Sequence, residues 1–277
     1  MKIAVLGATG QTGQYLVNQA LQQGHTVTAI VRNPGKLTVQ HDKLKVNNVM
    51  SCLSTNCMSF YISSVMYAAV MFFYRGFMKC DPYPGPEIAY TIILLFSLFC
   101  QVVEGNIFSE DSLKLHFQGQ DAVISCLGFP ASFLSGVTGY TLSMRAAVNA
   151  MREAKVNRII TMTSWYTDPN SGTQSSYLIR FLLLPMIRSV LSNMFEMEHF
   201  LKKTQDVNWT VVRPPGLKNL PATGKEFLTH EGYFVPDSNG LPIGSAVGRG
   251  DVARFMLFLL NTDVWFNKAV AITTKNE

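Results

Sequence analysis

The sequence predicts a doubly wound α/β fold, a parallel sheet with helices on both faces. Three observations point to it. A short apolar strand runs directly into a glycine-rich turn and then a helix. Strand-like runs rich in β-branched residues go on alternating with helical runs to the end of the chain. The chain has 277 residues, 48% of them hydrophobic, enough to bury the core of one large domain or of a smaller domain with an insertion.

Taken in order, Lys2–Leu6 reads as a buried strand. Residues 12–23 read as a helix, with Tyr15, Leu16, Ala20 and Leu21 at helical spacing. Gly24 ends that helix, and Thr26–Val31 is a second strand. Beyond residue 101, Val102-Val103 is strand-like, Glu110–Phe117 helical and Ala122–Ser125 a buried strand. Residues 141–154 form a helix and 158–163 a strand; a longer helix over 186–203 precedes a strand over 209–213. A last helix over 251–260 takes Asp251 as its N-cap, and 269–273 is the closing strand.

Charge and targeting narrow the function classes. The net charge of +5 is modest and no run of Lys or Arg marks a nucleic-acid footprint, so mild attraction to a phosphorylated ligand is expected instead. Ile3-Ala4-Val5-Leu6 is too short for a signal-peptide core, and glycines follow it rather than a cleavage site, so a cytoplasmic protein is expected. Five cysteines in a chain of this length make no disulfide framework, and the Asn208-Trp209-Thr210 sequon lies in a strand.

Residues 46–101 break the pattern. Charges nearly vanish, Cys52, Cys57, Cys80 and Cys100 fall here, and bulky apolar residues crowd the segment without period. It contains no His, and only Cys52 and Cys57 lie close together, so no metal site is expected. The uncharged runs 58–74 and 88–100 both fall short of the ~20 apolar residues of a membrane span. One reading is a membrane-associating hairpin. The preferred reading is translated intron: removing the segment joins Lys45 to Val102 as an uninterrupted third strand. Val46-Asn47 and Gln101 permit splice-site codons, and 94–100 can be written in pyrimidine-rich ones. The domain is then 1–45 with 102–277, and no membrane partner is expected unless 46–101 is genuine.

Gly7-Ala8-Thr9-Gly10-Gln11-Thr12-Gly13 carries the chemistry. Gly7 permits a tight turn, Gly10 lets the backbone approach a pyrophosphate, and Gly13 lets helix pack on strand, the signature of a Rossmann-type dinucleotide site. Backbone N–H groups at the helix N-terminus then hold the phosphates. After the second strand an NAD site favours an acidic residue for the ribose hydroxyl. Here stand Arg32 and, four residues on, Lys36, a pair suited to clamp a 2′-phosphate, so NADP(H) is the expected cofactor.

The glycine turn, the Val31-Arg32 step with Lys36, Gly119-Gln120-Asp121-Ala122-Val123-Ile124, Thr163-Ser164 and Arg213-Pro214-Pro215 together resemble the atypical short-chain dehydrogenase/reductases. The group most resembled is the biliverdin reductase B or NADPH-dependent flavin reductase family, with NmrA-like proteins as wider relatives. The resemblance spans 1–45 and 102–273 and implies roles for single residues. Thr9, Gly10, Gln11 and Thr12 would wrap the pyrophosphate. Asn106 would stand beside the adenine, where the family usually has Asp. Leu127, Gly128, Pro214 and Gly216 would line the cofactor, Arg145 would reach towards it, and Ser164 would lie by the nicotinamide as the catalytic hydroxyl. The family places His where this chain has Gly216, which puts biliverdin specificity in doubt more than hydride transfer.

The Tyr-x-x-x-Lys pair of ordinary short-chain dehydrogenases is absent, since Phe181 follows Tyr177 and Asn170 follows Tyr166 at that spacing. His199, on a helix between Met197 and Phe200, reads as structural. Phe129, Trp165 and Tyr166 follow strand ends and are candidates to stack a planar acceptor such as a flavin, quinone or linear tetrapyrrole. The expected function is reduction of such an acceptor by NADPH. Its alternatives are a non-catalytic NADP(H) sensor of the NmrA-like sort and a membrane-tethered reductase.

Overall fold

The computed structural model describes residues 1–32, 45–46, 100–131 and 136–275. Strand β1 (Lys2–Leu6) leads through the glycine turn into α1 (Gln11–Gln22), and β2 (Thr26–Val31) returns beside it. The short β3 (Lys45–Val46) and β4 (Cys100–Glu104) follow, then α2 (Glu110–Phe117), β5 (Ala122–Ser125), α3 (Gly139–Ala154) and β6 (Arg158–Met162). The second half holds α4 (Arg188–Lys202), β7 (Asn208–Arg213), β8 (Gly216–Lys218) and β9 (Phe227–His230). It closes with β10 (Ala246–Gly248), α5 (Arg249–Phe258) and β11 (Lys268–Thr274).

Among the described residues nine strands make one sheet in the order β3-β4-β2-β1-β5-β6-β7-β11-β9, parallel except for β9. The strand order reverses between β1 and β5, the switch point where open α/β sheets leave a crevice at the carboxyl ends of their strands. Successive side chains of β1 serve opposite faces. Ile3 and Val5 pack with Leu16, Val17 and Ala20 of α1 and with Val252 and Met256 of α5. Ala4 and Leu6 face Leu113, Ala147, Met151 and Met194 on the other side. Both faces are thus covered, which is why the strands read as continuous apolar runs.

Helix ends follow side-chain chemistry. Ser109 caps α2, accepting the Ser112 N–H at 3.4 Å, with Glu110 and Asp111 in the first turn against the helix dipole. Thr138 supplies no side-chain cap to α3. Asn193, buried on α4, does so instead: its Oδ1 accepts the N–H groups of Tyr140 at 2.9 Å and Thr141 at 3.4 Å.

Several expectations are corrected. Asp251 is not the cap of the last helix. That helix starts earlier, after Gly248, and buried Asp251 in its first turn accepts the Thr223 N–H (3.0 Å) and hydroxyl (2.8 Å), fastening a preceding loop. The helix expected over 186–203 begins only at Arg188; a π-helical turn (Ile179–Leu183) and a short turn with Pro185 (Leu184–Met186) precede it. The strand expected at Val102 starts earlier, at Cys100, and in the full chain Lys45–Val46 pairs in parallel beside Gln101–Val102. Strands β8, β9 and β10 have no counterpart in the sequence reading. Among the described residues no helix is long and apolar enough to cross a membrane. Residues 47–99, on which the hairpin and intron readings rest, lie outside the described residues, as does Lys36.

Candidate active site

The turn after β1 is shaped by two close approaches. Gly7 has φ +77°, and a Cβ there would sit 2.8 Å from the Cys126 carbonyl oxygen. At Gly13 a Cβ would collide with the Gly7 carbonyl and stand 2.8 Å from the Ala8 Cα, so any side chain would push α1 off the strand. The turn is held by Gly10 N–H to the Gly7 carbonyl (2.9 Å) and by the Gln14 amide to the Thr9 carbonyl (3.1 Å). Gly10 is the N-cap and brings no side-chain cap. The first-turn N–H groups of α1, at Gln11, Thr12 and Gly13, have no intrahelical acceptors and are free for an anion. These residues fit a dinucleotide pyrophosphate.

A cleft opens over this turn at the switch point. Gly7, Thr9, Gly10, Arg32, Leu127 and Gly128 all line it, together with Ile107, Cys126 and Phe129. Seven of the residues singled out in the sequence, Phe129 among them, are therefore brought together by the carboxyl ends of β1, β2 and β5. Arg32 is exposed on the wall one residue past β2. Burial pushes the Cys126 thiol up to about 12, so it lines the cleft as an inert neutral group. Gln11 is exposed at the start of α1 and Thr12 buried beneath it.

Other assignments are not brought to this cleft. Arg145 is exposed on α3 with its guanidinium 4.7 Å over the Phe200 ring, a cation–π contact to α4 rather than a reach towards the glycine turn. The Asn106 side chain closes its own loop, accepting the Phe108 N–H at 3.0 Å, and Ile107 beside it faces the cleft. Pro214 is buried, its carbonyl accepting the Trp165 N–H at 2.9 Å. Gly216 belongs to β8, and a Cβ there would lie 2.8 Å from the Ser245 carbonyl oxygen. That packing explains the absence of a side chain where the resembled family has His.

Ser164 lies two residues past β6, half-buried, and its hydroxyl has no hydrogen-bond partner among the described residues. The loop around it is held rigidly. Thr163 and Thr167 both donate their hydroxyls to Glu198 Oε1, at 2.8 and 3.2 Å. Glu198 is in turn bound to Arg213, Oε2 to Nη2 at 2.5 Å and Oε1 to Nε at 3.1 Å. Arg213 also donates to the Gly232 carbonyl (2.9 Å) and stands 4.1 Å over the Tyr233 ring. Tyr166 adopts φ 61°, a left-handed conformation costing a bulky residue about 1–3 kcal/mol, which persists only where the surroundings over-determine it. Here its N–H is tied to the Tyr233 carbonyl at 3.1 Å.

This Glu198–Arg213 lock was missed in the sequence. Its signal was a single carboxylate on the apolar stripe of α4, in register with Met194, Met197 and Leu201. The neighbouring His199 is exposed, bonded through Nδ1 to the Phe195 carbonyl at 3.0 Å, and stands away from the cleft as a structural group. The aromatic expectation is corrected in part. Trp165 and Tyr166 are buried against Val235 and Phe234 and present no open face, whereas half-buried Phe129 lines the cleft, edge-on to Tyr140. A larger groove of about 590 Å³ lies elsewhere, between β9 and α5. Its charged residue, Arg254, is engaged with Asp251 and the Lys225 carbonyl, and no strand-end residue of the switch point reaches it.

Known proteins share this architecture. The oxidoreductase ylbE of Lactococcus lactis superposes with a TM-score of 0.64 at 14% identity, covering 100% of this chain and 92% of that one. A short-chain dehydrogenase/reductase of Veillonella parvula, solved in complex with NADP, gives a TM-score of 0.59 at 11% identity, covering 99% of this chain and 95% of that one. At such identities the likeness is one of fold. A chloroplastic protein of Arabidopsis thaliana is 25% identical over 235 residues, which is 83% of this chain but 64% of the plant protein. YwnB of Bacillus subtilis is 48% identical over a stretch of 40 residues, 14% of this chain and 19% of YwnB. The chain thus spans less than two thirds of either relative. A model of the NAD(P)H-binding family matches residues 7–52 and 98–263, passing over the middle of the anomalous segment. With most of its length matched and the glycine turn at the switch point, this chain belongs to the NAD(P)H-binding family.

Proposed function

We propose that the protein is an NADPH-dependent reductase of a planar, conjugated acceptor of the flavin, quinone or linear-tetrapyrrole kind. The observation that carries this reading is the joint placement of Arg32 and the glycine turn in one cleft, with Ser164 on the loop after the neighbouring strand β6. Arg32 favours the phosphorylated cofactor because a guanidinium binds a phosphate through parallel charge-assisted hydrogen bonds. The Veillonella protein solved with NADP supports the choice by analogy of fold. When bound, the reduced nicotinamide supplies a hydride.

The chain's own residues bind, orient and exclude water. Gln11, Thr12 and Gly13 offer N–H donors to the pyrophosphate, while Leu127, Gly128 and Phe129 wall the cleft. The unengaged Ser164 hydroxyl orients a water that delivers the proton balancing the hydride. An acceptor that stabilises charge in a conjugated ring needs no stronger acid, which fits the lack of a Tyr-x-x-x-Lys pair. Steady oxidation of NADPH with FMN or dichlorophenolindophenol tests the reading. A second reading, a non-catalytic NADP(H) sensor, is favoured by the sequence, which has neither a Tyr-x-x-x-Lys pair nor, at Gly216, the His of the resembled family. Tight NADPH binding without turnover across such acceptors would establish the sensor instead.

A further inference from the structure

The segment between the Ser164 loop and α4 carries an unusual surface. Tyr177, Leu178, Phe181, Leu182, Leu183 and Met186 are exposed by 83, 70, 66, 57, 47 and 50%. The other large apolar side chains at the surface are scattered along the chain, as on any soluble protein; these lie within ten consecutive residues. They are not stray core residues, because the inner face of the segment is already used. Ile179 and Leu184 pack against the buried Trp165–Tyr166–Val235 cluster, leaving the other six outward. The Tyr177 and Phe181 rings stack on one another, centroids 6.1 Å apart and 11° from parallel, without shelter from another element.

We infer that this apolar ridge docks the protein on a membrane surface containing anionic lipid. The charges around it select that occupant. From 169 to 195 the only charged side chains are Arg180 and Arg188, both exposed, and no acidic residue is present. Arg180 lies with its guanidinium 5.3 Å over the Phe181 ring, so the cation rides beside the apolar surface, as snorkelling residues do at a lipid interface. Aromatic rings and leucines with flanking cations are the composition of interfacial segments that lie in the headgroup region rather than span the bilayer. A second copy of the chain fits less well. A two-fold contact through this ridge would gather the Arg180 and Arg188 cations of both copies into one interface, with no carboxylate between residues 169 and 195 to pair them. The inference is independent of the reductase reading.

Co-sedimentation of the full chain with phosphatidylcholine vesicles, with and without phosphatidylglycerol, tests it. Because residues 46–101 are themselves apolar, the comparison is between the protein and its variants in the same chain. The protein should partition onto phosphatidylglycerol vesicles, and Phe181→Ser with Leu182→Ser should lower that partitioning by about tenfold or more, from the apolar area lost. Arg180→Gln with Arg188→Gln should remove the preference for anionic lipid and its sensitivity to salt. NADPH binding, followed by fluorescence, should be unchanged in both and shows that they fold. Vesicle binding equal in all three proteins overturns the inference. So does a dimer, seen by light scattering, that the same substitutions dissociate while vesicles go unbound.

Discussion

Glu198 of α4 and Arg213 at the end of β7 are joined by two hydrogen bonds in a pair with side chains 1 and 2% exposed. The pair ties a helix to a strand and, through Thr163 and Thr167, fixes the loop that carries Ser164.

Removing one partner of such a pair leaves the other charge buried and alone, which costs about 3–5 kcal/mol. Glu198→Ala should therefore lower unfolding stability by about that much, and by more than Glu198→Gln, which keeps an acceptor for the threonine hydroxyls. Urea unfolding of both variants measures it. A loss below about 1 kcal/mol in Glu198→Ala, the range of an exposed ion pair, would show that the pair is not sealed as described.

Most strands and helices were legible because each is a strongly periodic or continuous apolar run. Glu110–Phe117 and Ala122–Ser125 have the predicted bounds. Strands β8 and β10 were not legible, being three residues each and paired across a long separation, with nothing local to mark them. The glycine turn was readable because its glycines answer to local sterics. Arg145 misled because a cation on a helix gives no sign of which neighbour it meets, and Phe200 is distant in sequence. Glu198 was passed over because its partners, Thr163 and Thr167 on the loop after β6 and Arg213 on β7, are distant in sequence.

Arg32→Ala should weaken NADPH binding by about 1.5–3 kcal/mol, the worth of a hydrogen bond to a charged group, and should leave NADH nearly unaffected. The reason is that the 2′-phosphate is the difference between the two cofactors, and Arg32 is the charged side chain of the described cleft. Fluorescence titration of both cofactors decides it. Equal losses would mean that Arg32 supports the loop and not the phosphate.

Ser164→Ala should lower turnover with a flavin acceptor only a few-fold, against the ~10²–10⁴-fold contributed by a true general acid. Cofactor affinity should hold, since the hydroxyl bonds to no described residue and its loss leaves no partner orphaned. A drop in the larger range assigns Ser164 the proton itself. No change removes it from the mechanism.

Cys126 should resist iodoacetamide near neutral pH in the native protein, and its peptide should become labelled once urea is added. Its thiol, raised from 9.0 to about 12 by burial, holds its proton in the folded state while the unfolded chain loses it. The contribution to stability is therefore complete below pH 9.0 and declines as pH rises towards 12, by about 1.4 kcal/mol per unit. Unfolding of Cys126→Ala should show a shallower fall across that window. Parallel slopes in the two proteins would place the thiol in contact with water.

A chain lacking residues 46–101 should fold and bind NADPH as the full chain does. The argument is one of register. In β4, Cys100, Gln101 and Val102 stand opposite Val27, Thr28 and Ala29 of β2. Joining Lys45 to Val102 sets Leu44 opposite Val27 and Lys45 opposite Thr28, so an apolar and a polar residue replace an apolar and a polar residue at the same positions. The parallel ladder to β2 survives, and the sheet loses only the two-residue edge strand β3. The family model passes over 53–97, which supports the same reading. The junction also lies towards the amino-terminal end of β4, the edge opposite the cleft. Sequencing transcripts across Lys45–Val102, beside NADPH titration of the shortened chain, checks both halves. Transcripts that all retain the segment, with a shortened chain that fails to bind, would make residues 46–101 a working part of the protein.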